Sequence, residues 1–147
     1  MSIQDQLLDA MKVAMKAKDS LRLTTIRMAR TALKNVEIDT RQELDEAAAI
    51  KVLSTLVKQR REAAEAYRET RPELAEKEEL EVVILQEFLP AQLSEAEIEA
   101  LVAKAVAESG AGSMKDMGAV MKLVTPQTTG RADGKMVSNL VRKLLAG

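Results

Sequence analysis

Apolar residues recur along this chain at spacings of three and four, the period of helices buried on one face. Ile3, Leu7, Met11, Ala14 and Met15 make the first such stripe, behind a Ser2/Asp5 pair suited to cap a helix N-terminus. A second helix starts at Asp19 or Ser20 with Leu23, Ile26, Ala29, Leu33 and Val36 turned inward, and the pattern lapses at 39–42. From Asp45 a long helix tracks Ala49, Val52, Leu53, Leu56, Val57, Arg60, Ala63, Ala64 and Tyr67, its far end heavily charged over 58–62. Thr70-Arg71-Pro72-Glu73 carries a Thr-x-x-Glu capping box and a proline suited to a first helical position. A fourth helix then runs to Phe88, closed by Leu89-Pro90.

The clearest cap is Ser94 with Glu97, where Leu93 can staple onto Ile98; Leu101, Val102, Ala105 and Val106 continue that face until Gly110 and Gly112. Met117, Val120, Met121 and Val124 predict a short helix that Pro126 should stop, leaving a threonine-rich loop that faces water or a partner. The last helix opens at Asp133 or Gly134 and turns Val137, Leu140, Val141 and Leu144 inward. Few alternating strand-like runs occur. The predicted fold is all-α, with a four-helix-bundle-like domain over 1–92 and a small three-helix domain over 93–147, the boundary falling between Pro90 and Leu93.

Composition narrows the chemistry. With one Phe, one Tyr and no Trp in 147 residues, the core must be aliphatic. Cysteine and histidine are both absent, which removes disulfides, thiolate metal sites, the commonest general base and every Ser-His or Cys-His nucleophile pair. The N-terminus lacks the basic start and apolar stretch of a signal peptide, and no apolar run reaches roughly 18 residues. A soluble, cytoplasmic protein without membrane contact is therefore expected. Net charge is −1 overall, but the span from Ala111 onward holds Lys115, Lys122, Arg131, Lys135, Arg142 and Lys143 against Asp116 and Asp133.

That basic excess surrounds the one suggestive cluster, Gly130-Arg131-Ala132-Asp133-Gly134-Lys135. A helix N-terminus offers unpaired N–H groups, glycine admits a close backbone approach, and two cations add charge, a combination suited to phosphate. The plainer alternative is that Asp133 caps its own helix and the glycines serve a turn. Nucleotide loops are excluded by spacing: Met136 stands where a Walker motif needs Ser or Thr, and Lys115 occupies the third glycine position after Gly110 and Gly112. Gly118, in mid-helix, either allows a close helix crossing, the favoured reading, or leaves room for a partner's backbone. Met114, Met117, Met121 and Met136 are core filling, and no catalytic residue, metal or cofactor is implied. Arg27, Arg30 and Lys34 at i, i+3 and i+7 give a second basic face. Glu78 and Glu79, in the acidic run 73–81, are expected at the surface.

Five ordered motifs are similar to the GatB/YqeY family: Lys58-Gln59-Arg60-Arg61; Arg71 with Leu74 and Glu78; Phe88-Leu89-Pro90-Ala91-Gln92-Leu93-Ser94; Asp116-Met117-Gly118 with Val120-Met121; and Gly130-Arg131-Ala132-Asp133-Gly134. The part from Ser94 on resembles the tail domain of the GatB component of glutamine-dependent aminoacyl-tRNA amidotransferases, a helical appendage that engages tRNA. The resemblance implies a helical bundle joined to a tail-like domain. It supplies no catalytic machinery, so a carbon–nitrogen ligase label with glutamine as amido-N donor is inherited from the tail. Relatives often carry lysines before the Gly-Arg-Ala-Asp-Gly motif, where this chain has Gln127 and Thr129, and each missing phosphate contact weakens RNA binding.

The expected function is a non-catalytic accessory module of translation that binds tRNA or another structured RNA through Arg131, Lys135 and the first turn of the last helix, assisted by Lys122, Arg142 and Lys143. Stacking platforms for single strands are missing. A loop of about eight residues before the last helix exceeds the 3–4-residue turn of a DNA-reading helix-turn-helix, so DNA is not expected. The competing expectation is a protein-interaction module whose N-terminal helices dock on an amidotransferase or an aminoacyl-tRNA synthetase.

Overall fold

Polar side chains set where most of the helices begin. In the computed structural model, which describes residues 1–146, Ser2 accepts the Asp5 N–H while the Asp5 carboxylate accepts the Ser2 N–H, and α1 follows over Ile3–Ala17. Asp19 caps α2 (Ser20–Thr40) through Arg22 N–H, and Asp45 caps α3 (Glu46–Tyr67) through Ala48 N–H. For α4 (Pro72–Gln86) the two expected start signals compete. Pro72 takes the first helical position, which makes Arg71 the cap residue, and the Thr70 box does not form. Ser94 and Glu97 form the expected reciprocal cap of α5 (Glu95–Ser109). A one-turn 3-10 helix at Met114–Asp116 leads into α6 (Met117–Thr128), and α7 spans Gly134–Ala146. The fold is all-helical, with no strand among the described residues.

The chain divides into two compact units, Met1–Pro90 and Ala91–Gly147. In the first, α1 to α4 share one core in which Leu7, Ile26, Leu33, Leu53 and Leu85 are wholly enclosed. In the second, Ile98 and Val102 of α5 meet Val120 and Val124 of α6 and Val137, Val141 and Leu145 of α7. Leu144, expected inward, points out: the buried face of α7 runs 137, 141, 145, at i, i+4 and i+8. No helix among the described residues is long and apolar enough to cross a membrane, and no group of three or more acidic residues there could hold a metal ion.

Two charged residues lie inside the first unit. Arg60 on α3 and Glu81 on α4 are 7% and 6% exposed, and Arg60 Nε stands 3.3 Å from Glu81 Oε2 without hydrogen-bond alignment. Arg60 also donates to the Leu56 carbonyl and toward the Met28 sulfur. Burial pushes the Glu81 carboxyl above its ordinary range, the Glu78 carboxylate adds to this, and Arg60 and Lys77 offset it in part. The acidic run is thus not wholly a surface feature. Its last member faces the core.

Candidate functional site

Pro126 does not stop α6, which continues to Thr128. A proline two residues from a helix end removes one internal hydrogen bond, here the one to the Lys122 carbonyl, and the side chains that follow bond back to the next three carbonyls. Gln127 Nε2 donates to the Leu123 carbonyl, Thr128 Oγ1 to that of Val124, and Thr129 Oγ1 to that of Thr125. Gln127 and Thr129 thus bond back onto the end of this helix. The loop to α7 shrinks to 129–133. At about five residues it is closer to a helix-turn-helix turn of 3–4 than the sequence suggested, so loop length is a weaker argument against DNA.

This loop is also less open than expected. Gly130 is buried at φ +78°, a left-handed backbone that side chains disfavour, and its carbonyl accepts 2.8 Å from Gln92 Nε2. The Arg131 carbonyl accepts 2.7 Å from Leu93 N–H, and the Arg131 Nε–H donates 3.2 Å to the Ala91 carbonyl. Gly130 and Arg131 thus clamp the strap 91–93 that leads into α5. Asp133 accepts Lys135 N–H through its side chain and Val137 N–H through its carbonyl, so it caps α7, in keeping with the plainer alternative. One of the N–H groups reserved for a phosphate is already taken. Gly134 differs: it is exposed, and a Cβ there would meet nothing within 4 Å. The same openness at Gly118 corrects the expected close helix crossing.

The two glycines should therefore respond differently to alanine. Gly130→Ala forces a side chain into the left-handed region and should cost about 1–2 kcal/mol. Gly134→Ala, at the first position of a helix, should be neutral or stabilise by up to about 1 kcal/mol. Urea denaturation followed by far-UV circular dichroism checks both; equal costs would show that the turn at Gly130 is not what that glycine serves.

The remaining cations lie on helix surfaces. Lys135, Asn139 and Arg142 follow i, i+4 and i+7 on the exposed face of α7, beside Lys143, and Arg142 Nη1 donates 3.3 Å to Asn139 Oδ1. Lys122 is exposed on α6. Positive surface in this unit is thus a helix face, with Arg131 drawn inward. In the first unit Arg27, Arg30 and Lys34 all border one open groove between α1 and α2, of about 720 Å³. Sequence reasoning did not find this groove, because its floor, Met11 and Met15, belongs to another helix. It also missed Glu81, although Arg60 on the apolar face of α3 was a visible sign that an acid must meet it.

A family model described as Yqey-like protein matches residues 4–145. Among curated proteins, the chain is 43% identical over 103 residues to Altered inheritance of mitochondria protein 41, mitochondrial, of Lachancea thermotolerans, covering 67% of this chain and 54% of the relative. The protein of that name in Eremothecium gossypii is 41% identical over 97 residues, covering 65% and 52%, and that of Kluyveromyces lactis 42% over 80, covering 53% and 43%. The chain spans about half the length of the curated relatives it matches. Their names overturn the cytoplasmic expectation: these relatives are mitochondrial proteins, and an N-terminus without a signal-like pattern does not identify a compartment.

Proposed function

This chain belongs to the YqeY-like family, and from that premise we propose that it is a non-catalytic accessory module that binds structured RNA, tRNA above all, through the outward face of α7. The observation that carries the reading is the exposed run Lys135, Asn139, Arg142 and Lys143, which offers two or three phosphate contacts at helical spacing with Lys122 on the neighbouring helix. Arg131 is assigned to holding the strap that positions this face. The likeness of the second unit to the amidotransferase tail belongs to the same proposal, as does a place in translation. The relatives' names support a mitochondrial setting.

Recognition would be by backbone and shape, because one Tyr and one Phe leave no platform on which unpaired bases could stack. Affinity would rest on a few cations and so be modest, with a salt dependence set by those few contacts. In filter binding with bulk tRNA, the Arg142→Ala/Lys143→Ala double variant should bind more weakly and flatten the log–log salt slope by about 0.7–0.9 for each lost contact. Absence of binding at low salt, or a double variant indistinguishable from the parent, would overturn the reading.

A second reading has its own observation. The open groove beside α2 combines apolar floor and cations and favours docking of a protein, such as an amidotransferase subunit or an aminoacyl-tRNA synthetase. A partner retained from extracts after nuclease treatment tests it.

A further inference from the structure

We propose that the groove between α1 and α2 receives an acidic amphipathic helix of a partner protein. The floor is Met11 and Met15 from α1, and the wall carries Ile38 with Arg27, Arg30 and Lys34 from α2. No acidic residue lines it, and among the described residues none of its three cations is in an ion pair. Arg30 reaches Met11 instead, Nη1 to the sulfur at 3.1 Å.

Exposed apolar side chains set this face apart from an ordinary solvated helix. Ile38 is 63% exposed and Met15 49%. Water-facing apolar groups gathered in a concavity mark contact with another apolar surface, and methionine adapts its shape to what it meets. A phosphate backbone would use the cations but leave the floor wet. An acidic helix uses both, its apolar ridge on the methionines and its carboxylates over Arg27, Arg30 and Lys34.

Length and shape also fit. From Arg27 to Ile38 the wall extends about 16 Å at ~1.5 Å per residue, room for three turns of a helix laid in the trough between two others. At the Lys34/Ile38 end the charge changes: an adjoining concavity shares these two residues and adds Glu37 and Glu43 beside Arg41, so the purely cationic stretch is that of Arg27 and Arg30.

This deepens the docking reading by naming the partner's chemistry, and the two can fail separately. The probe is a fluorescein-labelled synthetic helix of leucines at i, i+3, i+4 and i+7 with glutamates elsewhere, titrated by anisotropy into the full chain against a scrambled peptide of equal composition. The amphipathic peptide should bind and the scrambled one should be weaker by roughly fivefold or more, the loss expected when a central anchor is removed. Ile38→Ser and Arg27→Glu should each reduce binding to a similar degree, with unchanged circular-dichroism melts, since both side chains are exposed. Equal binding of the two peptides would overturn the proposal. So would tRNA binding lost in Arg27→Glu but kept in Ile38→Ser, which marks a nucleic-acid face, or a concentration-dependent dimer abolished by Ile38→Ser, which marks a second copy as occupant. A partner that survives nuclease treatment yet ignores both substitutions would leave the docking reading standing and this proposal refuted.

Discussion

Glu81→Ala should lower the stability of the first unit by about 3–5 kcal/mol, because it strands the Arg60 guanidinium in a site that is 7% exposed. The pair is a poor stabiliser in its own right. Desolvation of Glu81 outweighs the attraction of Arg60, so its carboxyl is raised, and Arg60 Nε finds no aligned acceptor. What makes removal of one member costly is the charge left behind. Replacing both, as Arg60→Met with Glu81→Leu, should therefore recover most of the loss and can exceed the parent by about 1–4 kcal/mol. The pH dependence has a definite sign. The folded chain holds the Glu81 proton more tightly than the unfolded chain does, so this group stabilises the fold as pH falls through its raised value toward the ordinary glutamate value of 4.5, and that increment is lost as pH rises. Urea titrations of the parent between neutral and mildly acidic pH should show it, and Glu81→Gln should abolish it. A single-alanine cost within about 1 kcal/mol, the level of a surface ion pair, would mean that the pair is solvated.

Local rules carry the reading of this chain as far as local physics decides the outcome. Ser2 and Ser94 are legible as caps, and Asp19 and Asp45 as places where a helix begins, because a cap depends on residues within three positions of it. Pro126 escapes the same local reasoning: α6 runs on for two residues past it, and the side chains of the three residues that follow bond back onto its last turn. Arg131 is legible as a cation at a helix start but not as a structural clamp, because its acceptor, the Ala91 carbonyl, arrives from 40 residues earlier. Glu81 requires knowing that α3 and α4 pack with Arg60 opposite it. The methionine-floored groove requires α1 against α2. Periodicity identifies the face of each helix that needs covering, whereas which exposed face stays bare is a property of the assembled unit.

Ile98→Ala should unfold the second unit while leaving the first intact. This unit contains no aromatic residue, and its enclosed core is largely valine: Val102, Val120, Val124, Val137 and Val141, with Ile98 the largest side chain that is wholly buried. Truncating a buried isoleucine costs about 2–5 kcal/mol in lost transfer energy and cavity. A unit near the lower size for an independent core seldom has more than about 3–5 kcal/mol to lose. The loss should be amplified locally, because Leu93 packs on the same core across the Ser94 cap, so loosening Ile98 also frees the strap that Gly130 and Arg131 hold. Hydrogen exchange on the full chain separates the outcomes. Amides of α5, α6 and α7 should lose protection together, whereas those of α1 to α4, whose core is a separate cluster, should keep theirs. Ile98→Val, at about 0.5–1.5 kcal/mol, should retain the folded unit and with it any RNA affinity of the α7 face. Parallel loss of protection in both units would show one cooperative core where two are described, and retention of the α7 face's RNA binding in Ile98→Ala would show that those cations act without the fold that presents them.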